Sequence, residues 1–380
     1  MRLKRLYSIF LRAIEPAWRS DFSQASSSCH RKRTRESGLK RPLGETWSGT
    51  PIHRPAGNRC IRRCIREAIP MKKSPSFHPA LIAATLLLLT VASHSEAQAP
   101  QPDGAGVRTG VLPKSWLLSG PKCVELPQFQ VHEYNEDLYI LRQSGCSNYE
   151  KPFLYLLFGK EKALLLDTGA GRTEVRGFVK GVIDTWLRRN KRESIPLVIA
   201  HTHAHRDHTS GDEQLAALPG AILVKPDAKS VQEFFGITAW PDQVVQYDLG
   251  ARILDVIPIP GHEKSSIAVY DRQTGILFTG DTLYPGRLYV FDPDEYRHSI
   301  KRLVDFTKGK IVAHILGAHV ENTRTPYLDF PVGTVYQPDE HELELSHAHL
   351  LELKDALDQM SGKVVRMAMR DFSIWPIPQK

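Results

Sequence analysis

From residue 153 onward the chain contains short apolar runs, and most of them end in a polar residue. Residues 153–158 and 162–167 are two such runs on either side of Gly159-Lys160, and this arrangement predicts a hairpin. Further runs predict strands over 196–200, 253–259, 266–271, 276–279 and 311–316. The runs 266–271 and 276–279 predict a second hairpin.

Apolar residues at helical spacing predict helices over 174–189, 209–218 and about 347–360. The mixture of strands and helices predicts an α/β fold with sheet inside and helices outside. Binding sites in such folds gather at the ends of strands. The polar residues that end the apolar runs are therefore the candidate functional residues.

The run 196–200 is followed by a cluster of histidines and an aspartate, HTHAHRDH at 201–208. His203 and His205 can reach one metal ion from an extended turn, and Asp207 and His208 can face a second ion. Imidazole and carboxylate ligands suit zinc. Two ions need more ligands, and the ends of later runs offer them in three residues: His262, Asp281 and His319.

Five ordered motifs resemble those of the metallo-β-lactamase superfamily of metallohydrolases, over about residues 130–325. They are LLLDTG ending the run at 167, THAHRDH at 202–208, PGH at 260–262, FTGDT at 278–282 and GAH at 317–319. The resemblance implies a four-layer αββα sandwich. Aspartate in the fourth motif makes the chain most similar to the glyoxalase II, lactonase and phosphodiesterase branches.

The resemblance also implies a role for each motif residue. His203, His205 and His262 would hold one ion, and Asp207, His208 and His319 the second. Asp281 would bridge the ions, and Asp167 would orient the histidine loop without binding metal. His201 falls outside the frame that Asp207-His208 fixes, so we expect it to bond locally.

The chain departs from the family pattern in two places. Glu263-Lys-Ser-Ser follows Pro-Gly-His where many members have Thr-x-Gly, so the pocket near His262 is expected to differ in shape. The sequence also offers no clear counterpart of the basic C-terminal residues with which glyoxalase II holds glutathione.

The activity implied by the resemblance is hydrolysis by a hydroxide that bridges two Zn²⁺ ions, with iron or manganese as alternative metals. The bond would be an acyl bond: thioester, lactone, ester or β-lactam. Asp207 would deliver a proton to the leaving group. Tyr284 is a candidate donor to the developing oxyanion, with an ordinary loop tyrosine as the alternative.

Other functions of the same fold stay open at this point. A phosphodiesterase is one alternative, an iron-dependent persulfide-type oxidoreductase is another, and a metal-binding module without catalysis is a third. We expect a small-molecule substrate, favoured to be anionic because the ions would outweigh the carboxylates.

The net charge of +8 comes from the amino-terminal region. Residues 1–97 hold 18 of the 50 Lys and Arg but only 6 of the 42 Asp and Glu, so the rest of the chain has a net charge of −4. The basic leader is therefore poor evidence for a nucleic-acid partner, and we expect none.

The leader has the layout of a secretory signal peptide over residues 71–97. Met71-Lys-Lys precedes the apolar stretch 80–92, and small residues follow it up to Ala97, the expected cleavage point. Thirteen apolar residues are too few to span a bilayer comfortably, so we expect no stable membrane anchor and a periplasmic or secreted protein. Residues 1–70 are interpreted as a disordered upstream extension or a mis-assigned start, with an Arg-rich transit peptide as the rival interpretation.

These interpretations divide the remainder into a linker and N-terminal segment, 98–129, and a hydrolase-like domain with a C-terminal helix, 130–380. Only two of the five cysteines, Cys123 and Cys146, lie beyond the leader. An even pair in an exported protein is a disulfide candidate, and two free buried thiols are the alternative.

Overall fold

Two six-stranded sheets form the centre of the computed structural model, which describes residues 107–120 and 123–378. The first sheet runs in sequence order, antiparallel from β1 to β4 and parallel from β4 to β6. Its strands are β1 (Phe129–Asn135), β2 (Leu138–Gln143), β3 (Phe153–Phe158), β4 (Ala163–Leu166), β5 (Leu197–Ala200) and β6 (Ala221–Leu223).

The second sheet has the order β13-β12-β10-β9-β8-β7, with one parallel pair, β10 and β12. A third, smaller sheet has the order β11-β15-β14. The strands are β7 (Val245–Asp248), β8 (Ile253–Pro258), β9 (Ile267–Asp271), β10 (Ile276–Gly280), β11 (Arg287–Val290), β12 (His314–Gly317), β13 (Glu344–Leu345), β14 (Met367–Ala368) and β15 (Ser373–Pro376).

Six α-helices accompany the two large sheets among the described residues. They are α1 (Arg176–Arg189), α2 (Arg206–Thr209), α3 (Asp212–Ala216), α4 (Ala228–Phe235), α5 (Pro293–Thr307) and α6 (His347–Gln359). Apolar residues of α1 share a buried cluster with the first sheet, and those of α5 and α6 share one with the second. The expected four-layer αββα sandwich is confirmed.

Strand β3 shows why the apolar runs do not alternate with polar residues. Phe153, Tyr155 and Leu157 lie in the cluster between the two sheets, together with Val256 and Phe278 of the second sheet. The intervening residues Leu154, Leu156 and Phe158 pack on the side that α1 covers. Both faces of the strand are buried, so every position is apolar.

The helix expected over 209–218 is two short helices, and the first begins earlier, at Arg206. The chain breaks at Gly211 because it passes very close to the turn after β4: a Cβ atom there would lie 2.4 Å from the carbonyl oxygen of Thr168. The amide of Gly211 donates to the Thr168 hydroxyl at 3.1 Å. The early start places Asp207 and His208 in a helical turn rather than in an extended loop.

A disulfide joins Cys123 and Cys146. The sequence left open whether these cysteines are paired or are two free buried thiols. The disulfide ties the segment before β1 to the loop 144–152 between β2 and β3. The segment 107–120 also packs on the sandwich, since Trp116 is buried with its ring 4.9 Å from that of Phe153.

No helix among the described residues is long and apolar enough to cross a bilayer. The expected signal peptide (71–97) and the upstream residues 1–70 lie outside the described residues.

Replacing both Cys123 and Cys146 by serine should lower the free energy of unfolding by about 3 kcal/mol, because the unfolded chain regains the freedom of a closed loop. Urea unfolding of the oxidised wild type and the double variant measures this difference. Dithiothreitol should bring the wild type down to the level of the double variant and leave the variant unchanged. Equal stability of the oxidised proteins would contradict the prediction.

Candidate metal centre

All seven residues that the resemblance implies as metal ligands converge at one edge of the sandwich, in two groups that share Asp281. The first group is His203, His205, His262 and Asp281; the second is Asp207, His208, Asp281 and His319. Within each group the ligating atoms lie within 4.8 Å of one another. The ligands come from the turns that follow β5, β8, β10 and β12, so each sheet contributes to each group.

Three imidazole nitrogens of the first group point at one another. Nδ1 of His205 is 3.0 Å from Nε2 of His203 and 3.1 Å from Nε2 of His262. A carboxylate oxygen of Asp281 lies 3.5 Å from the same nitrogen of His262.

The second group has the same form around two imidazoles and two carboxylates. Nε2 of His319 lies 3.4 Å from Nε2 of His208. Asp207 Oδ2 lies 3.2 Å from the His208 nitrogen and 3.3 Å from the His319 nitrogen. Asp281 presents its other oxygen, Oδ1, to these two nitrogens at 3.5 and 3.3 Å.

The outward-facing nitrogens decide which tautomer three of these histidines adopt. Nδ1 of His262 lies 2.8 Å from the carbonyl oxygen of Tyr289, Nδ1 of His319 lies 2.9 Å from that of Glu150, and Nδ1 of His208 lies 3.0 Å from Asp167 Oδ2. These oxygens only accept hydrogen bonds, so each Nδ1 donates, and in the neutral ring the Nε2 lone pair points inward.

The donor set fits metal ions. Inward lone pairs of buried imidazoles and two carboxylates are the ligands that zinc and related divalent ions take. Asp281 Oδ1 is also buried without a hydrogen-bond partner, and such an atom is costly unless a cation satisfies it. Each group can therefore hold one ion, with Asp281 between them.

The carboxylates of the centre are held ionised. Burial disfavours their charge, but His208 and His319 outweigh this effect and keep the pKa of Asp207 and of Asp281 well below the usual range. Conversely, burial lowers the pKa of His203 and His262, which keeps these two rings neutral and ready to bind a cation.

His208 and His319 behave differently without an ion. Burial opposes their protonation, but the neighbouring carboxylates, Asp207 and Asp281 among them, raise the pKa of both imidazoles well above the usual value. A metal ion takes the place of these protons, so binding at the second group releases protons and weakens as the pH falls.

Asp167 orients the histidine loop from behind. Its backbone is in the left-handed region, with φ 68°, and its side chain is fully buried. Oδ1 accepts from the amide of Thr202 at 2.8 Å, and Oδ2 accepts from the Thr202 hydroxyl at 2.8 Å and from His208 Nδ1 at 3.0 Å. The carboxylate thereby fixes both the start of the loop and the His208 ring.

His201 belongs to neither group. Its Nε2 lies 2.9 Å from Oδ1 of Asp212 in α3, and its side chain is buried. Asp212 also accepts a hydrogen bond from the Thr168 hydroxyl at 2.8 Å. His201 therefore bonds locally and braces the turn behind the ligands.

Tyr284, the candidate donor to an oxyanion, has its hydroxyl engaged in other hydrogen bonds. The Tyr284 side chain is buried, and its hydroxyl donates at 2.5 Å to the carbonyl oxygen of Arg287, with Glu321 at 3.1 Å. Its ring packs edge-on against His319 with centroids 5.7 Å apart. Tyr284 thus supports His319 by packing.

Four residues at or near the site could not be identified from the sequence. Glu150 and Tyr289 act through main-chain carbonyls, which every residue possesses. Tyr149 and Phe291 are exposed aromatic residues near the centre; a single exposed aromatic residue is common and attracts no attention in a sequence.

Comparison with known proteins gives a family match for part of the chain. Residues 152–314 match the family model described as the metallo-beta-lactamase superfamily. The described αββα arrangement is the fold expected for that match.

Two kinds of related protein and one solved structure illustrate the similarity. Acyl-coenzyme A thioesterase MBLAC2 of Bos taurus is 25% identical over 44% of this chain and 72% of that protein. Hydroxyacylglutathione hydrolase of Pseudomonas entomophila (strain L48) is 31% identical over 31% of this chain and 46% of that protein, so less than half of the hydrolase is spanned. A metallo-beta-lactamase from Pontibacter korlensis is 20% identical with a TM-score of 0.42, covering 61% of this chain and 99% of that one.

Asp167→Asn should weaken metal binding at the second group about 10- to 100-fold, because the amide no longer holds His208 by a charged hydrogen bond. The first group, which Asp167 reaches only through Thr202, should lose less affinity than the second. Metal content after equilibration with graded concentrations of a chelator measures both sites.

His201→Ala is the matched control, since it alters another buried partner of the same loop. We expect it to keep both ions and to lose about 1–3 kcal/mol of stability, because Asp212 loses its imidazole partner and keeps only the hydrogen bond from the Thr168 hydroxyl. Loss of an ion in His201→Ala, or unchanged affinity in Asp167→Asn, would show that the roles of the two residues are misassigned.

Proposed function

The chain belongs to the metallo-β-lactamase superfamily, and on that premise we propose that it is an exported hydrolase with two metal ions that cleaves an acyl bond, first of all a thioester. The observation that carries the proposal is the pair of ligand groups joined by Asp281. When bound, two divalent ions polarise the substrate oxygen and activate a water molecule, and they leave the centre net positive against two carboxylates.

The residues of the chain divide the remaining work between them. Asp281 is nearly buried, with 9% of its side chain exposed, so its part is to hold the two groups in register. Asp207 has 23% of its side chain exposed and lies at the edge of the centre, where a substrate can reach it. Asp207 can accept the proton that the attacking water releases and pass it to the departing group.

A thioester is the first choice because the relatives act on acyl groups attached to thiols. One is named a thioesterase for acyl-coenzyme A, and the other is a hydrolase of hydroxyacylglutathione. Lactone, ester and β-lactam substrates use the same chemistry and are the next choices. A phosphodiesterase and an iron-dependent persulfide-type oxidoreductase are the alternatives that the experiment below separates.

The substrate is proposed to be a small, anionic molecule, since the metal-loaded centre attracts negative charge. Zn²⁺ is the proposed metal, with iron or manganese as the alternatives, because imidazole and carboxylate ligands suit all three.

A panel of thioester, lactone, ester, β-lactam and bis-phosphodiester substrates tests the proposal on the purified protein. We expect turnover of thioesters, and a loss of about 100-fold or more in Asp207→Ala, which removes a ligand and the proton acceptor together. Asp184→Ala, which removes an exposed carboxylate of α1, serves as the control and should keep full activity.

Elemental analysis of the same preparations identifies the metal. Turnover of the phosphodiester alone would show that the protein is a phosphodiesterase and not a hydrolase of acyl bonds. Iron in place of zinc, without hydrolysis of any compound, would favour the oxidoreductase. Equal activity of the wild type and Asp207→Ala on every compound would refute the proposal.

Export is supported by the apolar stretch 80–92 and by the disulfide, because disulfides persist in oxidising compartments. We expect the mature protein from a Gram-negative host to begin at Gln98 in the periplasm or medium, as read by amino-terminal sequencing. Leu87→Arg, which interrupts the apolar stretch with a charge, should retain the chain in the cytoplasm with reduced cysteines. An uncleaved wild-type chain in the cytoplasm would contradict export.

A further inference from the structure

Two exposed aromatic side chains lie beside the metal centre, one against the first ligand group and one near Asp207 of the second. Phe291, directly after β11, has 41% of its surface exposed, and Tyr149, in the loop 144–152, has 45%. Aromatic side chains exposed beside a polar centre offer a surface to apolar parts of a ligand.

Phe291 packs against the first ligand group. Its ring centroid lies 6.0 Å from that of His205 and 5.7 Å from that of His262, and both contacts are edge-on. The Phe291 side chain is thus partly exposed directly beside these two ligands.

The backbone at Phe291 is well anchored. The amides of Phe291 and Asp292 both donate to the carbonyl oxygen of Gly261, at 3.0 and 2.8 Å. Asp292 then caps α5 by accepting from the amide of Glu295 at 3.1 Å. Gly261 itself has φ 134°, and a Cβ atom there would lie 2.4 Å from Cα of Tyr296, so the chain packs tightly at this point. A ring on such a support can select a ligand without first being ordered.

Tyr149 lies near the second ligand group. It is hydrogen-bonded to the side chain of Glu150 and lies close enough to Asp207 for the two groups to interact electrostatically. The carbonyl of Glu150 holds His319, and the disulfide at Cys146 restrains the same loop.

The position of Asp207 indicates how a thioester would be oriented in the metal centre. In thioester hydrolysis the water oxygen bonds to the acyl carbon and the C–S bond breaks. The electron pair stays on sulfur, and one proton of the water passes through Asp207 to give the free thiol. Asp207 belongs to the second ligand group, whereas Phe291 lies beside His205 and His262 of the first. This placement would put the departing thiol near Asp207 and the acyl group near Phe291.

We propose that the site selects thioesters with a flat, apolar acyl group, such as an aromatic one, and that Phe291 is the residue that recognises this group. The inference rests on the proposed hydrolase function and deepens it. It assigns the thiol portion to the side of Tyr149, so the two aromatic residues select different halves of the substrate.

Kinetics on thioesters of one thiol, N-acetylcysteamine, test the inference. The acetyl, hexanoyl and benzoyl compounds are compared in the wild type, Phe291→Ala and Phe291→Leu, all loaded with zinc. We expect Phe291→Ala to raise KM for the benzoyl compound about tenfold and KM for the acetyl compound less than about twofold, with kcat unchanged for both. Phe291→Leu should fall between the two, because it keeps an apolar surface but no ring.

Two variants serve as controls. Leu351→Ala, on α6, removes a side chain of nearly the same exposure, 40%, and should change no constant. Tyr149→Ala should leave the preference among the three acyl groups intact. An equal effect of Phe291→Ala on all three acyl groups would overturn the inference.

Binding separates failure of the inference from failure of the proposed function. The ketone thioethers S-phenacyl- and S-acetonyl-N-acetylcysteamine cannot be hydrolysed, and calorimetry measures their affinity for the zinc-loaded protein. We expect the phenacyl compound to bind about tenfold more tightly to the wild type and the difference to vanish in Phe291→Ala. Equal affinities in the wild type would refute the role of Phe291, whereas a retained difference without thioester turnover would refute only the hydrolase function.

Discussion

The buried carboxylate of Asp167 is the interaction on which the metal centre depends. It lies just beyond β4, away from solvent, and such a charge is costly unless several donors surround it. The amide and hydroxyl of Thr202 and the ring of His208 are those donors. One group thus fixes where the histidine loop leaves β5, how the loop turns into α2, and which nitrogen of His208 faces the ions. The left-handed backbone at Asp167 is the strain that this arrangement requires.

The sequence predicts the side chains that could bind metal better than the groups that hold those side chains in place. The metal ligands stand at the ends of apolar runs, and the resemblance of their motifs to those of a known family implies the two groups. The carbonyls of Glu150 and Tyr289, which set the tautomers of His319 and His262, carry no residue-specific pattern. Tyr284 shows a further limit: its position three residues after Asp281 suggests catalysis, but the sequence does not reveal that its hydroxyl donates to the Arg287 carbonyl in the interior.

The fold was predictable where strands are buried on both faces and less so elsewhere. The run 153–158 gives β3 with its exact limits because both of its faces are covered. The apolar pattern does not predict α5, since charged residues fill most of its first turns and hide the stripe of Ile300 and Leu303. Contacts far apart in sequence decided the break at Gly211, where the turn after β4 leaves no room for a side chain. Local periodicity contains no information about such an approach.

The two ligand groups also have a mechanical consequence. His208 follows a strand of the first sheet and His319 a strand of the second, 111 residues later, yet their ring nitrogens meet. Between the sheets the core contains apolar contacts such as that of Tyr155 with Phe278, which are individually weak and have no fixed direction. An ion at either group would act as a cross-link that clamps the open edge of the sandwich. Metal binding would then both enable catalysis and hold the two sheets together at this edge. A chelator would remove both effects at once.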